Sequence, residues 1–195
     1  AASDVYKRQY LSRVCRLRIC SRGLMTYKPV TLHTSLRRKR DTMSELKDRA
    51  SITIFTIGFA KKSAREFFAK LQNAGIKRVV DVRLNNVSQL AGFTKRDDLE
   101  YFLEVIAAIK YVHYPQLAPT KEILYGYKKK AISWPEYEKR FSKLMVERQI
   151  EELVTPIELD YSCLLCSEPT ADKCHRRLVA EYLRAKWGNV EIRHL

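Results

Sequence analysis

The densest run of reactive side chains is Cys166-Ser167-Glu168, followed after a short gap by Cys174-His175-Arg176-Arg177. Glu168 stands just beyond an apolar segment and before Pro169, where burial would raise its pKa toward the range useful for a general acid or base. His175 can share the proton work. Arg176 and Arg177 can hold an anion beside the start of a helix. The competing structural reading has Glu168 capping that helix or pairing with Arg176. Cys166 ends the apolar segment where a nucleophilic thiol can stand, although two cysteines here also fit as small buried residues. Cys163-x2-Cys166-x7-Cys174-His175 offers zinc donors, but the spacing matches none of the common patterns. In a strand, Cys163 and Cys166 also face opposite ways, so no metal and no cofactor is expected.

A second cluster is Asp81-Val82-Arg83, followed by Asn85, Asn86, Ser88 and Gln89. Asp81 and Arg83 are two apart and share one side of an extended chain. Either they form a structural ion pair, or Arg83 grips an anionic group that Asp81 orients; Arg suits a bidentate hold on phosphate or carboxylate. Thr56-Ile57-Gly58 with Lys61 and Lys62 makes a third polar strand end. Lone His113 and His194 read as satisfied structural histidines. Tyr111, Tyr114, Tyr125 and Tyr127 with Lys128-Lys129-Lys130 read either as a surface that stacks and grips single-stranded nucleic acid or as a solvated loop.

These groups need elements to position them. Ile52–Ile57 is β-branched and aromatic, which predicts a buried strand closed by Gly58. Ser63 with Glu66 three residues on predicts a capped helix carrying Phe67, Phe68, Leu71 and Ala74, ended by Gly75. Arg78–Arg83 is a second strand, so the first thirty residues or so of this region form a βαβ unit with a right-handed crossover. A helix over 95–110 follows, with Leu99, Phe102, Leu103, Ile106 and Ile109 on one face. Lys110–Tyr114 is a strand, and 115–133 a basic loop or short helices. Pro135 opens a helix to about Leu153, with Tyr137, Phe141, Leu144 and Met145 inward. Tyr161–Ser167 is a strand, Cys174–Trp187 a helix and Val190–Ile192 a closing strand. The order predicts an α/β three-layer fold with a mainly parallel central sheet flanked by helices. In such sheets ligands bind outside the carboxyl ends of the strands, where the polar clusters would converge.

The chain has 195 residues, 46% hydrophobic and 30% charged, enough for one domain with a real core. No apolar run reaches the roughly 20 residues that cross a bilayer. Five cysteines, an odd number, argue for reduced thiols and a cytoplasmic protein. The net charge of +15 is unevenly placed: residues 1–42 carry +9 and residues 43–195 carry +6. The basic arm has no lasting helical or strand period. A nucleic-acid tail and a transit peptide both fit its composition. Asp4-Val5-Tyr6-Lys7-Arg8-Gln9, however, matches the translation of a transposon-end sequencing adapter, and Met43 reads as a start just before the patterned region. Residues 1–42 are therefore expected to be a disordered, non-native arm, and 43–195 a single domain. The sequence has no GxGxxG, P-loop or GxSxG, so the Rossmann dinucleotide, ATPase and α/β-hydrolase readings lack their key elements.

From about Ile52 to Leu195 the chain resembles the domain of unknown function 488 family. The resemblance rests on Thr56-Ile57-Gly58, Asp81-Val82-Arg83, Ser88…Phe93, Tyr111-Val112-His113, Cys166-Ser167-Glu168…Cys174-His175-Arg176-Arg177 and the closing Val190–Leu195. Members usually carry His after the glycine of the first block, where this chain has Phe59. The resemblance implies an α/β fold and a site built from these blocks, without a settled reaction. Three functions compete. The first is an enzyme on a phosphate-bearing ligand, nucleotide or nucleic acid, with Arg83, Arg176 and Arg177 on the anion and Glu168 with His175 moving protons. The second is thiol chemistry at Cys166, since Val80–Arg83 is similar to a strand of rhodanese-like sulfurtransferases, against which stands the long segment between Cys166 and His175. The third is a non-catalytic module that binds nucleic acid or a small ligand through residues 121–130.

Overall fold

The computed structural model describes residues 51–87 and 92–195. The basic arm at 1–42, and Ser88 and Gln89 with it, lie outside the described residues. Five strands form one all-parallel sheet: β1 (Ile52–Gly58), β2 (Arg78–Asp81), β3 (Lys110–His113), β4 (Ser162–Cys166) and β5 (Val190–His194), in the spatial order β3-β2-β4-β1-β5. Among the described residues, seven α-helices connect and flank them: α1 (Ala64–Asn73), α2 (Arg96–Ala107), α3 (Lys121–Lys128), α4 (Trp134–Glu147), α5 (Ile150–Leu153), α6 (Pro156–Leu159) and α7 (His175–Trp187). The expected three-layer α/β fold is what forms.

Strand alternation divides the interior in two. Ile54, Val80 and Leu164 face one layer with Phe141, Met145, Ile150, Val179 and Leu183. Phe55, Ile57, Val79, Cys163 and Leu165 face the other with Phe67, Leu71, Leu99 and Leu103. The central strand β4 is buried along its whole length, and after Ser162 it reads as an unbroken apolar run.

Local chemistry sets the element ends. Ser63, Thr120 and Ser133 each accept a backbone N–H from the first turn of their helix, which satisfies donors that a helix start otherwise leaves open. The helix expected from Pro135 to about Leu153 breaks instead after Glu147, because Gln149 takes a left-handed backbone at φ 47° before α5 begins. The stretch at 115–133 resolves into a 3-10 turn at Pro115–Leu117 and α3. Ile106, expected inward on α2, is 48% exposed. Among the described residues, no helix is long and apolar enough to cross a membrane.

Leu164 is fully buried at the middle of β4. Leu164→Ala removes packing on the α4/α7 side and should cost about 2–5 kcal/mol. The urea midpoint should fall while the slope of the transition stays unchanged.

Candidate functional site

The site begins where β1 and β4 end side by side. Gly58 is the register partner of Cys166. The pairing continues past both strands, as Phe59 N–H donates to the Cys166 carbonyl and Ala60 N–H to that of Ser167. A Cβ on Gly58 would run into the Glu168 carbonyl, so only glycine lets the chain after β4 cross here. Arg176, on the first turn of α7, reaches back with Nη1 to that same carbonyl at 2.7 Å and to Cys174 Sγ at 3.2 Å.

This crossing brings Cys166 against the start of α7. Cys166 Sγ lies 3.5 Å from His175 Nδ1, and His175 Nε2 lies 2.7 Å from the Val82 carbonyl. A carbonyl only accepts, so Nε2 carries the proton and Nδ1 is left to take one from the thiol. The Cys174 thiol, the Glu168 backbone N–H and the His175 ring all favour negative charge on Cys166. The Cys174 bond is the largest of these, and together they pull the Cys166 pKa well below its ordinary value despite full burial. Burial works against charge on His175, but the adjacent Cys166 outweighs it and the imidazole pKa rises. The first turn of a 13-residue helix adds its positive end beside the sulfur. Both shifts favour negative charge on Cys166 and positive charge on His175.

A cavity of about 500 Å³ opens onto this pair. It gathers Arg83 and Asn85 from the end of β2, Cys166 and Glu168 from the end of β4, and Lys173, Cys174 and His175 from the start of α7. The strand ends named from the sequence therefore meet, although Lys61 and Lys62 do not line the cavity. The far wall is Tyr127, Trp134 and Tyr137, with the last two rings stacked at 4.9 Å and 17°. Lys128 and Lys130 stand on the same wall.

The arginines expected to hold an anion have internal work. Arg83 donates through Nε and Nη2 to both Asp81 oxygens at 2.8 and 2.7 Å, and again to the Thr94 carbonyl. The structural ion pair is thus the arrangement that forms, with Tyr111 donating to Asp81 as well; burial and the Asp81 charge push the Tyr111 phenol up. Arg176 is 1% exposed and Arg177 pairs with Glu138 and Glu181. Glu168, expected buried, is exposed, because its backbone rather than its carboxyl turns inward to meet Arg176. His113 bonds the Arg83 carbonyl and His194 bonds Thr56, as structural histidines.

Cys166, Cys174 and His175 place two sulfurs and one ring nitrogen within 4.8 Å of one another, donor types that a soft ion such as zinc accepts. Cys163, the remaining residue of the zinc-like spacing, packs in the opposite layer. Trp134 and Tyr137 line the cavity without any signal of a site in the sequence beyond two aromatics at a helix start, whereas Cys174 belongs to the block that the resemblance implies.

A family model for the domain of unknown function DUF488 matches residues 63–183. The chain belongs to this family. The DUF488 match spans α1 through most of α7, and so includes Arg83, Cys166, Glu168 and the Cys174-His175-Arg176-Arg177 block. Among curated proteins and solved structures, none matches the chain.

Asp81→Ala leaves the Arg83 guanidinium buried without its counter-charge. Loss of one partner from such a pair should cost about 3–5 kcal/mol, read as a lowered midpoint in chemical denaturation.

Proposed function

We propose that this DUF488 protein is an enzyme that uses Cys166 as a nucleophile on an anionic substrate. The observation that carries this reading is the Cys166 Sγ to His175 Nδ1 approach of 3.5 Å, with the other ring nitrogen held by the Val82 carbonyl. A backbone carbonyl fixes the imidazole tautomer, so the ring can take the thiol proton and keep both N–H groups bonded afterwards. Sγ then attacks an electrophilic centre in the cavity and forms a covalent intermediate. His175 returns the proton to the leaving group, and a second nucleophile frees the sulfur.

The cavity wall supports the substrate class. Lys128, Lys130 and Lys173 supply positive charge, and the stacked Trp134–Tyr137 pair offers an aromatic face beside it. A phosphate- or carboxylate-bearing ligand with a planar group fits this lining, which is where the phosphate-ligand reading retains force. In that version the lysines replace Arg83, Arg176 and Arg177 as the anion-holding groups. Glu168, exposed at the cavity, would meet the ligand rather than act as a buried acid. A purely binding module leaves the Cys166–His175 pair without a role.

The test is alkylation of Cys166 by iodoacetamide across pH, followed at the peptide level. With the thiol pKa lowered and the imidazole pKa raised, the ion pair persists between them. The rate should hold its plateau well below the pH where an ordinary thiol deprotonates, and fall only as Cys166 itself is protonated. His175→Ala removes the cation, so the inflection should move to higher pH, and the neutral-pH rate should drop about tenfold for each unit by which the inflection passes neutrality. A wild-type profile matching free cysteine would remove Cys166 as the nucleophile.

A further inference from the structure

The nucleophile reading leaves Cys174 unexplained. Its side chain caps nothing at the start of α7, although it occupies the N-cap position. It is 1% exposed as a residue and still lines the cavity beside Cys166. Its sulfur lies within 4.8 Å of Cys166 Sγ and 3.2 Å from the Arg176 guanidinium. A second thiol placed against a nucleophilic sulfur, with a fixed cation behind it, is the arrangement needed to release a sulfur-linked intermediate.

We infer that Cys174 is the resolving thiol of a dithiol–disulfide exchange, and that the substrate is an anionic low-molecular-weight disulfide. The inference rests on Cys166 being the nucleophile. In the first step Cys166 thiolate attacks one sulfur of R–S–S–R′, forming Cys166–S–S–R and expelling R′–S⁻, which takes a proton from His175. In the second step the Cys174 thiol loses its proton and attacks Cys166 Sγ. The Cys166–Cys174 bond forms, and R–S⁻ leaves and accepts the proton. The substrate disulfide is the oxidant: it gains two electrons and the protein dithiol loses them.

Electrostatics order the two steps. While Cys166 is a thiolate, its hydrogen bond is the largest influence on Cys174, and with burial and the negative charge it holds Cys174 protonated. Once Cys166 is capped by R, that charge is gone; burial still opposes ionisation, and the pull of Arg176 at 3.2 Å favours it. Cys174 thus gives up its proton more readily after the adduct exists than before. The basic wall at Lys128, Lys130 and Lys173 selects the charge of R.

The experiment uses the full chain with Cys15→Ser and Cys20→Ser, treated with dithiobis(nitrobenzoate), a dianionic aromatic disulfide, or with cystamine, a cationic one. After acid quench, disulfides are mapped by mass spectrometry of peptides. The expected product is a Cys166–Cys174 bond with two coloured thiolates released per chain, formed at least about tenfold faster with the anionic reagent at low salt than with cystamine, relative to a free-thiol control. Cys174→Ser should stop at a stable mixed disulfide on Cys166 with one thiolate released. A wild-type chain that keeps the mixed disulfide on Cys166, with Cys174 free, overturns the resolving role and leaves the nucleophile standing. A Cys166–Cys174 bond formed equally fast with both reagents overturns the anionic substrate class. An unmodified Cys166 overturns the nucleophile reading as well. The wild-type map carries the result even where the Cys174 variant folds poorly.

Discussion

Cys166 depends on a crossing that has no room for a side chain. Gly58 and Cys166 are paired across β1 and β4, and the chain after Cys166 passes so close that the Glu168 carbonyl occupies the place of a Gly58 Cβ. Arg176 locks the crossing from the other side by donating to that carbonyl. If the chain were lifted, the Glu168 N–H would leave the sulfur and α7 would no longer present His175 to it. The thiol's chemistry is therefore set by a backbone approach between two central strands, not by the cysteine alone.

The same economy accounts for the internal hydrogen bonds that the two buried arginines make. Burying a guanidinium requires that its charge and its donors be met. Arg83 is met by Asp81 and the Thr94 carbonyl; Arg176 donates through Nη1 to the Glu168 carbonyl and the Cys174 sulfur, while its Nε is buried with no hydrogen-bond partner among the described residues. They are the beams of the site. Lysines, whose long chains keep their charge near solvent, line the opening instead. Charge at a strand end is thus a poor guide to ligand binding until its partners are known.

Much of the fold was legible because apolar periodicity is local. Ile52–Ile57, the Phe67-Phe68-Leu71 face and the run before Cys166 all became the elements their patterns predict. The convergence of β2, β4 and the start of α7 followed from parallel topology. What the sequence withheld came from partners far along the chain. Arg177 meets Glu138, 39 residues away, and His175 meets the Val82 carbonyl, 93 residues away. The burial expected of Glu168 does not occur, because its backbone carbonyl rather than its carboxyl turns inward to meet Arg176. The break after Glu147 was hidden because left-handed Gln149 carries no compositional mark.

The Val82 carbonyl joins these threads. It belongs to the residue after β2, whose own N–H donates to the Leu165 carbonyl on β4. Its oxygen takes the His175 N–H, so the imidazole is anchored to the same two strands that carry Asp81 and Cys166. Turning the ring away would strand a buried carbonyl without a donor. The other nitrogen therefore stays 3.5 Å from Cys166 Sγ. The tautomer and the direction of the ring are thus fixed by the backbone at the end of β2, not by any side chain near the thiol.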